Sequence, residues 1–161
     1  MKAQRWAGVA SALLAAAVPV AAQAQESPLA GSWRLTGYQV ESKDTGKMIP
    51  AMGEHPSGRV IFTEDHRVAF VLTGEGRKSG DSDAAKAALL NTLVAYTGLE
   101  QTQGHQWCTQ VEAAWNPEWV GTTQCREFRL DGDHLEVLTP WRQMPNWSGI
   151  TRSIISFVRD R

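Results

Sequence analysis

Eight short runs of β-branched and aromatic residues, separated by glycine-bearing or charged turns, constrain this chain more than anything else in it. A strand turns successive side chains to opposite faces, so alternating apolar and polar residues give one buried and one wetted face. The first run, residues 33–40, sets Trp33 and Leu35 on a common face and leads into a polar loop holding Gly46. Residues 58–63 and 68–72, joined by the polar stretch Glu64 to Arg67, read as a hairpin. Runs at 92–101, 105–113, 122–130, 135–139 and 150–158 complete the eight, while 48–56, with two prolines, reads as irregular. One short helix is expected between the third and fourth runs. Asp81-Ser82-Asp83 there suits a helix N-terminus ahead of an Ala- and Leu-rich stretch that should end near Asn91. The fold expected is all-β: an eight-stranded antiparallel up-and-down barrel with one short helix inserted after the third strand. A barrel of this size either fills with its own side chains or encloses one small ligand.

Ahead of the first strand, Lys2 and Arg5 precede an apolar run from Trp6 to Val20 and a small-x-small site at Ala22-Gln23-Ala24. That pattern predicts a secretory signal peptide over 1–24, because a membrane span needs about 20 apolar residues. Residues 25–161 then form one barrel domain. Of 16 basic residues two lie in the leader, so 14 face 17 acidic ones and the mature charge is about −3. Nucleic acid is an unsuitable partner for such a chain, and no integral membrane segment is expected after cleavage. In a periplasmic or secreted protein the only two cysteines, Cys108 and Cys125, are expected to pair.

If those cysteines face each other across a hairpin, paired positions sum to 233. Trp107 then faces Arg126, Thr109 faces Gln124 and Val111 faces Thr122. Arg126 shares its parity with Phe128 and Leu130, which want burial, whereas the cystine face carries Gln110, Glu112, Glu127 and Arg129. Arg126 should therefore point into the barrel, where a guanidinium needs a buried protein acceptor, an aromatic face or a ligand anion. Trp115, Trp119, Trp141 and Trp147 fall in or beside loops. Such residues rim a cavity, plug a barrel end or form a partner surface.

Several separated motifs carry a family likeness: Leu29-Ala-Gly-Ser-Trp-Arg-Leu35, His55-Pro-Ser-Gly-Arg-Val-Ile-Phe-Thr63, Tyr96-Thr-Gly98, Pro117-Glu-Trp-Val-Gly-Thr-Thr-Gln-Cys-Arg126 and Asp131-Gly-Asp133. In order and spacing they resemble the lipocalin-like domain family of bacterial and fungal proteins. The resemblance implies a calycin-type up-and-down barrel with a small-molecule cavity. It also implies a late arginine, Arg159 or Arg152, packed across Trp33. The chain departs from the family pattern twice. It lacks the histidine on the strand Trp107-Cys-Thr-Gln-Val111, and it has Phe157-Val-Arg159 where a Trp usually precedes the last Arg.

Function is expected to be binding of a small, partly apolar molecule in the barrel, with Arg126, Trp107, Gln124, Thr109 and Tyr96 as contacts. Trp33 and Arg159 are expected to be structural. Two alternatives stand beside it. One is a barrel enzyme of isomerase, cyclase or dehydratase type, which would need a cavity-facing Tyr96 or Glu100 beside Arg126. The other is a periplasmic protein-binding module or inhibitor. His55, His66, His105 and His134 are scattered without HxH or HExxH spacing, and no nucleophile elbow or phosphate loop occurs, so no metal, cofactor or catalytic residue is assigned.

Overall fold

A computed structural model describes residues 27–144 and 147–160. The expected signal peptide over 1–24 lies outside the described residues. Within them the strands are β1 (Gly31–Ser42), β2 (Met48–Pro50), β3 (Ser57–Phe62), β4 (Arg67–Thr73), β5 (Leu93–Gln103), β6 (Gln106–Ala114), β7 (Thr123–Asp131), β8 (His134–Leu138), β9 (Arg142–Gln143) and β10 (Ile150–Arg159). Eight of them, in the order β1-β3-β4-β5-β6-β7-β8-β10, pair antiparallel, and β10 returns to β1. The barrel is closed, so its main wall has no free edge.

Helix α1 (Asp83–Asn91) follows β4, the third barrel strand. Ser82 caps it by accepting from the Ala85 N–H, and Asp83 sits in its first turn. No α1 residue is buried, so the helix rides outside the barrel. Three elements go beyond the sequence reading. The stretch read as irregular contains β2, which pairs with Gln39–Glu41. Arg142–Gln143 pairs with β10 as β9. Pro117–Trp119 forms a single 3-10 turn. No helix among the described residues is long and apolar enough to cross a membrane.

Cys108 and Cys125 are bonded, with Cα atoms 4.0 Å apart, and β6 pairs with β7 in the register they imply, Trp107 opposite Arg126 and Thr109 opposite Gln124. Trp107, Thr109, Val111, Arg126 and Phe128 are buried, while Gln110, Glu112, Glu127 and Arg129 face solvent. Leu130 departs from this pattern: it shares Phe128's parity yet is 36% exposed. It lies next to the end of β7, where the tight turn into β8 begins. Parity sets a side chain's face but not whether a wall still stands across from it.

Inside, Phe62, Phe70, Tyr96, Trp107 and Phe157 form an aromatic block, with Phe70 stacked on Tyr96 at 4.9 Å and Phe62 edge-on to Trp107 at 4.8 Å. Burying each such ring contributes roughly 1.5–3 kcal/mol. The end bearing the β3–β4, β5–β6 and β7–β8 turns is closed by Leu29 and Trp33. The Trp33 indole donates to the Leu29 carbonyl at 2.8 Å. Arg159 lies 3.9 Å over its ring and donates to the Ala30 carbonyl at 2.7 Å. Gly31 makes this possible, because it has φ +117° and a Cβ there would stand 2.9 Å from the Arg159 guanidinium. Arg152 stacks on Trp141 instead.

Candidate functional site

Arg126 is 5% exposed, and its guanidinium lies over two aromatic rings, 5.1 Å from the centre of Tyr96 and 5.6 Å from that of Trp107. Among the described residues its one hydrogen bond is a long 3.5 Å contact from Nη1 to the Gln124 carbonyl. Among the described residues no carboxylate pairs with it. Aromatic faces soften the cost of burying this cation without cancelling its charge.

The neighbours of Arg126 are held by their own bonds. Trp107 donates its indole N–H to Thr109 Oγ1 at 2.9 Å, and Gln124 donates its amide to Thr122 Oγ1 at 2.9 Å. Tyr96 is different: its hydroxyl is buried and has no hydrogen-bond partner among the described residues. Burial pushes the Tyr96 pKa up to about 12, and the nearby Arg126 charge opposes that rise without overcoming it. Tyr96 therefore stays a neutral hydroxyl at any physiological pH, able to donate to an acceptor.

At the end opposite Trp33 a cavity of about 510 Å³ opens among the β6–β7 loop, the β8–β10 connection, the end of β1 and the start of β5. Tyr38, Met52, Val94, Trp115, Trp119 and Trp147 are among its lining residues. The loop that carries two of these tryptophans is built locally. Asn116 accepts from the Glu118 N–H at 3.0 Å, Pro117 starts the 3-10 turn, and Thr122 Oγ1 donates to the Trp119 carbonyl at 2.7 Å. Trp115 meets Trp119 edge-on at 6.0 Å, and Trp119 meets Tyr96 at 5.9 Å. The mouth is thereby joined to the Tyr96–Arg126 layer by direct ring contact.

Three buried polar atoms lack a partner among the described residues: Tyr96 Oη, Trp115 Nε1 and Thr151 Oγ1. Tyr38 and Ser153 meanwhile share a 2.9 Å hydrogen bond. Each unmet buried group costs about 1–3 kcal/mol, so three together call for an explanation.

Of the five contacts expected from sequence, Arg126 touches both Trp107 and Tyr96. Thr109 joins them through Trp107, and Gln124 is half-buried with its carbonyl on Arg126. None of the five lines the mouth cavity. Three of the four loop tryptophans do, and Trp141 does not. Glu100 is not beside Arg126. Its buried carboxylate accepts from Ser27 at 3.2 Å and from Thr102, and meets His66 Nδ1 at 3.3 Å, at the Trp33 end. Sequence reasoning missed Tyr38, Met52, Thr151 and Ser153. The signal for the last two was present, since Thr151, Ser153, Ile155 and Phe157 alternate onto one inward face of β10.

A family model described as a lipocalin-like domain matches residues 30–159. No curated protein and no solved structure gives a significant match.

Proposed function

The chain belongs to the lipocalin-like domain family, and from that premise we propose that it binds a small, partly apolar molecule at the barrel mouth. One observation carries this reading: a cavity of about 510 Å³, within the usual size of ligand pockets, rimmed by three tryptophans in a barrel whose unmet buried polar atoms include one on that rim, Trp115 Nε1. The apolar body of the ligand rests against Trp115, Trp119 and Trp147. A ligand carbonyl or carboxylate accepts from Trp115 Nε1 on the rim, and a tail reaching past Trp119 meets the buried Tyr96 hydroxyl, which the Arg126 charge makes a stronger donor, while Trp107, Thr109 and Gln124 hold that layer in place. We further propose export to the periplasm or beyond, supported by the leader over 1–24 and the cystine. Intact mass of the exported protein should lack the first 24 residues.

The test of binding is native mass spectrometry and intrinsic Trp fluorescence of the purified protein against an extract of its own cells. A retained small molecule lost in Trp119→Ala supports the reading. An empty protein whose fluorescence no extract fraction changes would overturn it.

The Tyr96–Arg126 contact favours one second reading, a barrel enzyme of isomerase, cyclase or dehydratase type with Tyr96 as proton donor. Tyr96→Phe separates the two. Under the enzymatic reading the bound molecule is still retained but no longer converted, and under simple binding no conversion occurs in either protein.

A further inference from the structure

The connection 74–92 leaves the barrel at the mouth end, where the β4–β5 ladder stops at Thr73 opposite Leu93. At its base the Gly74 N–H donates to the Thr92 carbonyl at 2.9 Å, and the Glu75 N–H donates to the Met52 carbonyl at 2.8 Å. Beyond that base the connection bonds only to itself. Ser82 caps α1, and Arg77 Nη2 donates to the Leu89 carbonyl at 3.0 Å, tying the stretch before the helix to its last turn. Among the described residues nothing in 76–91 makes a hydrogen bond or ion pair to the barrel.

The composition of α1 nevertheless calls for a partner. At about 3.6 residues per turn, Ala84, Ala85, Ala88 and Leu89 share one side of the helix, with Asp83 and Lys86 on the other. On that apolar side Ala84 and Ala88 are exposed, and Ala85 and Leu89 are only half-buried. Isolated helices shorter than about 12–15 residues are marginal in water, so α1, with nine, depends on packing that the barrel wall does not supply. A second uncovered apolar surface lies at the same rim. Asn91 and Leu93, at the end of this connection, line the mouth cavity together with the half-buried Trp115 and Trp119. At 1.5 Å per residue α1 is about 13 Å long, comparable with the width of a cavity of about 510 Å³. Gly74, Gly76 and Gly80 precede the helix, and Gly76, at φ +68°, has nothing within 4 Å of where a Cβ would stand.

We infer that residues 76–91 are a lid for the mouth, which lays the Ala84, Ala88 and Leu89 side of α1 over a seated ligand. The inference rests on the mouth reading above. Contacts made only in the closed complex act on release more than on entry, so the lid sets how long a ligand stays.

The probe is anilinonaphthalene sulfonate, whose rings suit the tryptophan rim and whose sulfonate accepts from Trp115 Nε1. Its fluorescence gives affinity and release rate, and amide hydrogen exchange read by mass spectrometry follows α1. The dye should bind the wild type and be lost in Trp119→Ala. With dye bound, exchange over 83–91 should slow about tenfold or more, because a helix with few buried contacts opens readily until something packs on it. Ala88→Gln, on the side laid over the ligand, should speed release about fivefold, whereas Ala87→Gln on the opposite side should leave it unchanged. Both positions are exposed, so the melting temperatures of the two variants should match the wild type. Dye bound through Trp119 with α1 exchange unchanged overturns the lid and leaves the mouth reading standing. Equal release rates in Ala87→Gln and Ala88→Gln do the same. Absence of any dye binding that depends on Trp119 removes both.

Discussion

The two ends of the barrel handle buried polarity in opposite ways. At the closed end a cleft of about 330 Å³ is lined by Glu100 and its three partners, Ser27, Thr102 and His66, so its central carboxylate is already satisfied. Close by, Trp33 and Arg159 satisfy each other's surroundings through the Leu29 and Ala30 carbonyls. Asp160, held below the usual carboxylate range by Arg59 and Ser32, ties the last strand to the first. At the mouth a larger cavity meets Trp115, whose indole N–H has no described partner. Cavity volume alone therefore does not mark a recognition site. The completeness of the hydrogen bonding around it does, because unmet donors and acceptors are tolerated where something else completes them.

The sharpest way to break this comparison is to remove a tryptophan from each end. Trp33→Ala should cost about 3–5 kcal/mol in urea unfolding, and Trp119→Ala, only half-buried, clearly less. Equal losses would mean that the mouth is as structural as the closed end. Raising pH probes Tyr96, whose part the Tyr96→Phe variant isolates. With its folded pKa near 12 against about 10 unfolded, the folded state holds the proton more tightly, so stability is full below pH 10 and falls by about 2–3 kcal/mol on reaching pH 12. Tyr96→Phe should remove that part of the decline. Thr151→Val keeps the shape and deletes an unmet hydroxyl, so it should raise stability by about 1 kcal/mol. Finally, Arg126→Met should leave the melting temperature near or above the wild-type value while weakening ligand binding. A loss of several kcal/mol would instead show Arg126 to be a structural neutraliser.

Much of the wall was legible because its signals are local. Alternation placed the eight barrel strands, Ser82 marked the start of α1, and the pairing of Cys108 with Cys125 fixed which residues face Arg126. The bulge at Gly98 was not legible. A Cβ there would stand 2.0 Å from the Gln110 carbonyl, a restriction that exists only once β5 and β6 are paired. The mouth was half legible. Loop position flagged Trp115, Trp119 and Trp147, but their convergence with Tyr38 and Met52 comes from four connections meeting at one end of a closed barrel. Leu130 shows the same limit from the other side, since sequence parity promised burial where the wall runs out.

Ser27, bonded to Glu100, and Asp160, bonded to Ser32, leave the barrel at the same end, the one opposite the tryptophan mouth. This fixes an orientation. Anything tethered through either terminus, whether a fusion partner, a surface chip or an optical handle, holds the barrel by its floor and points the mouth outward. A sensor built by grafting this domain through its ends would therefore keep its receptive side free. A reporter meant to feel the ligand directly belongs on the 115–122 loop instead.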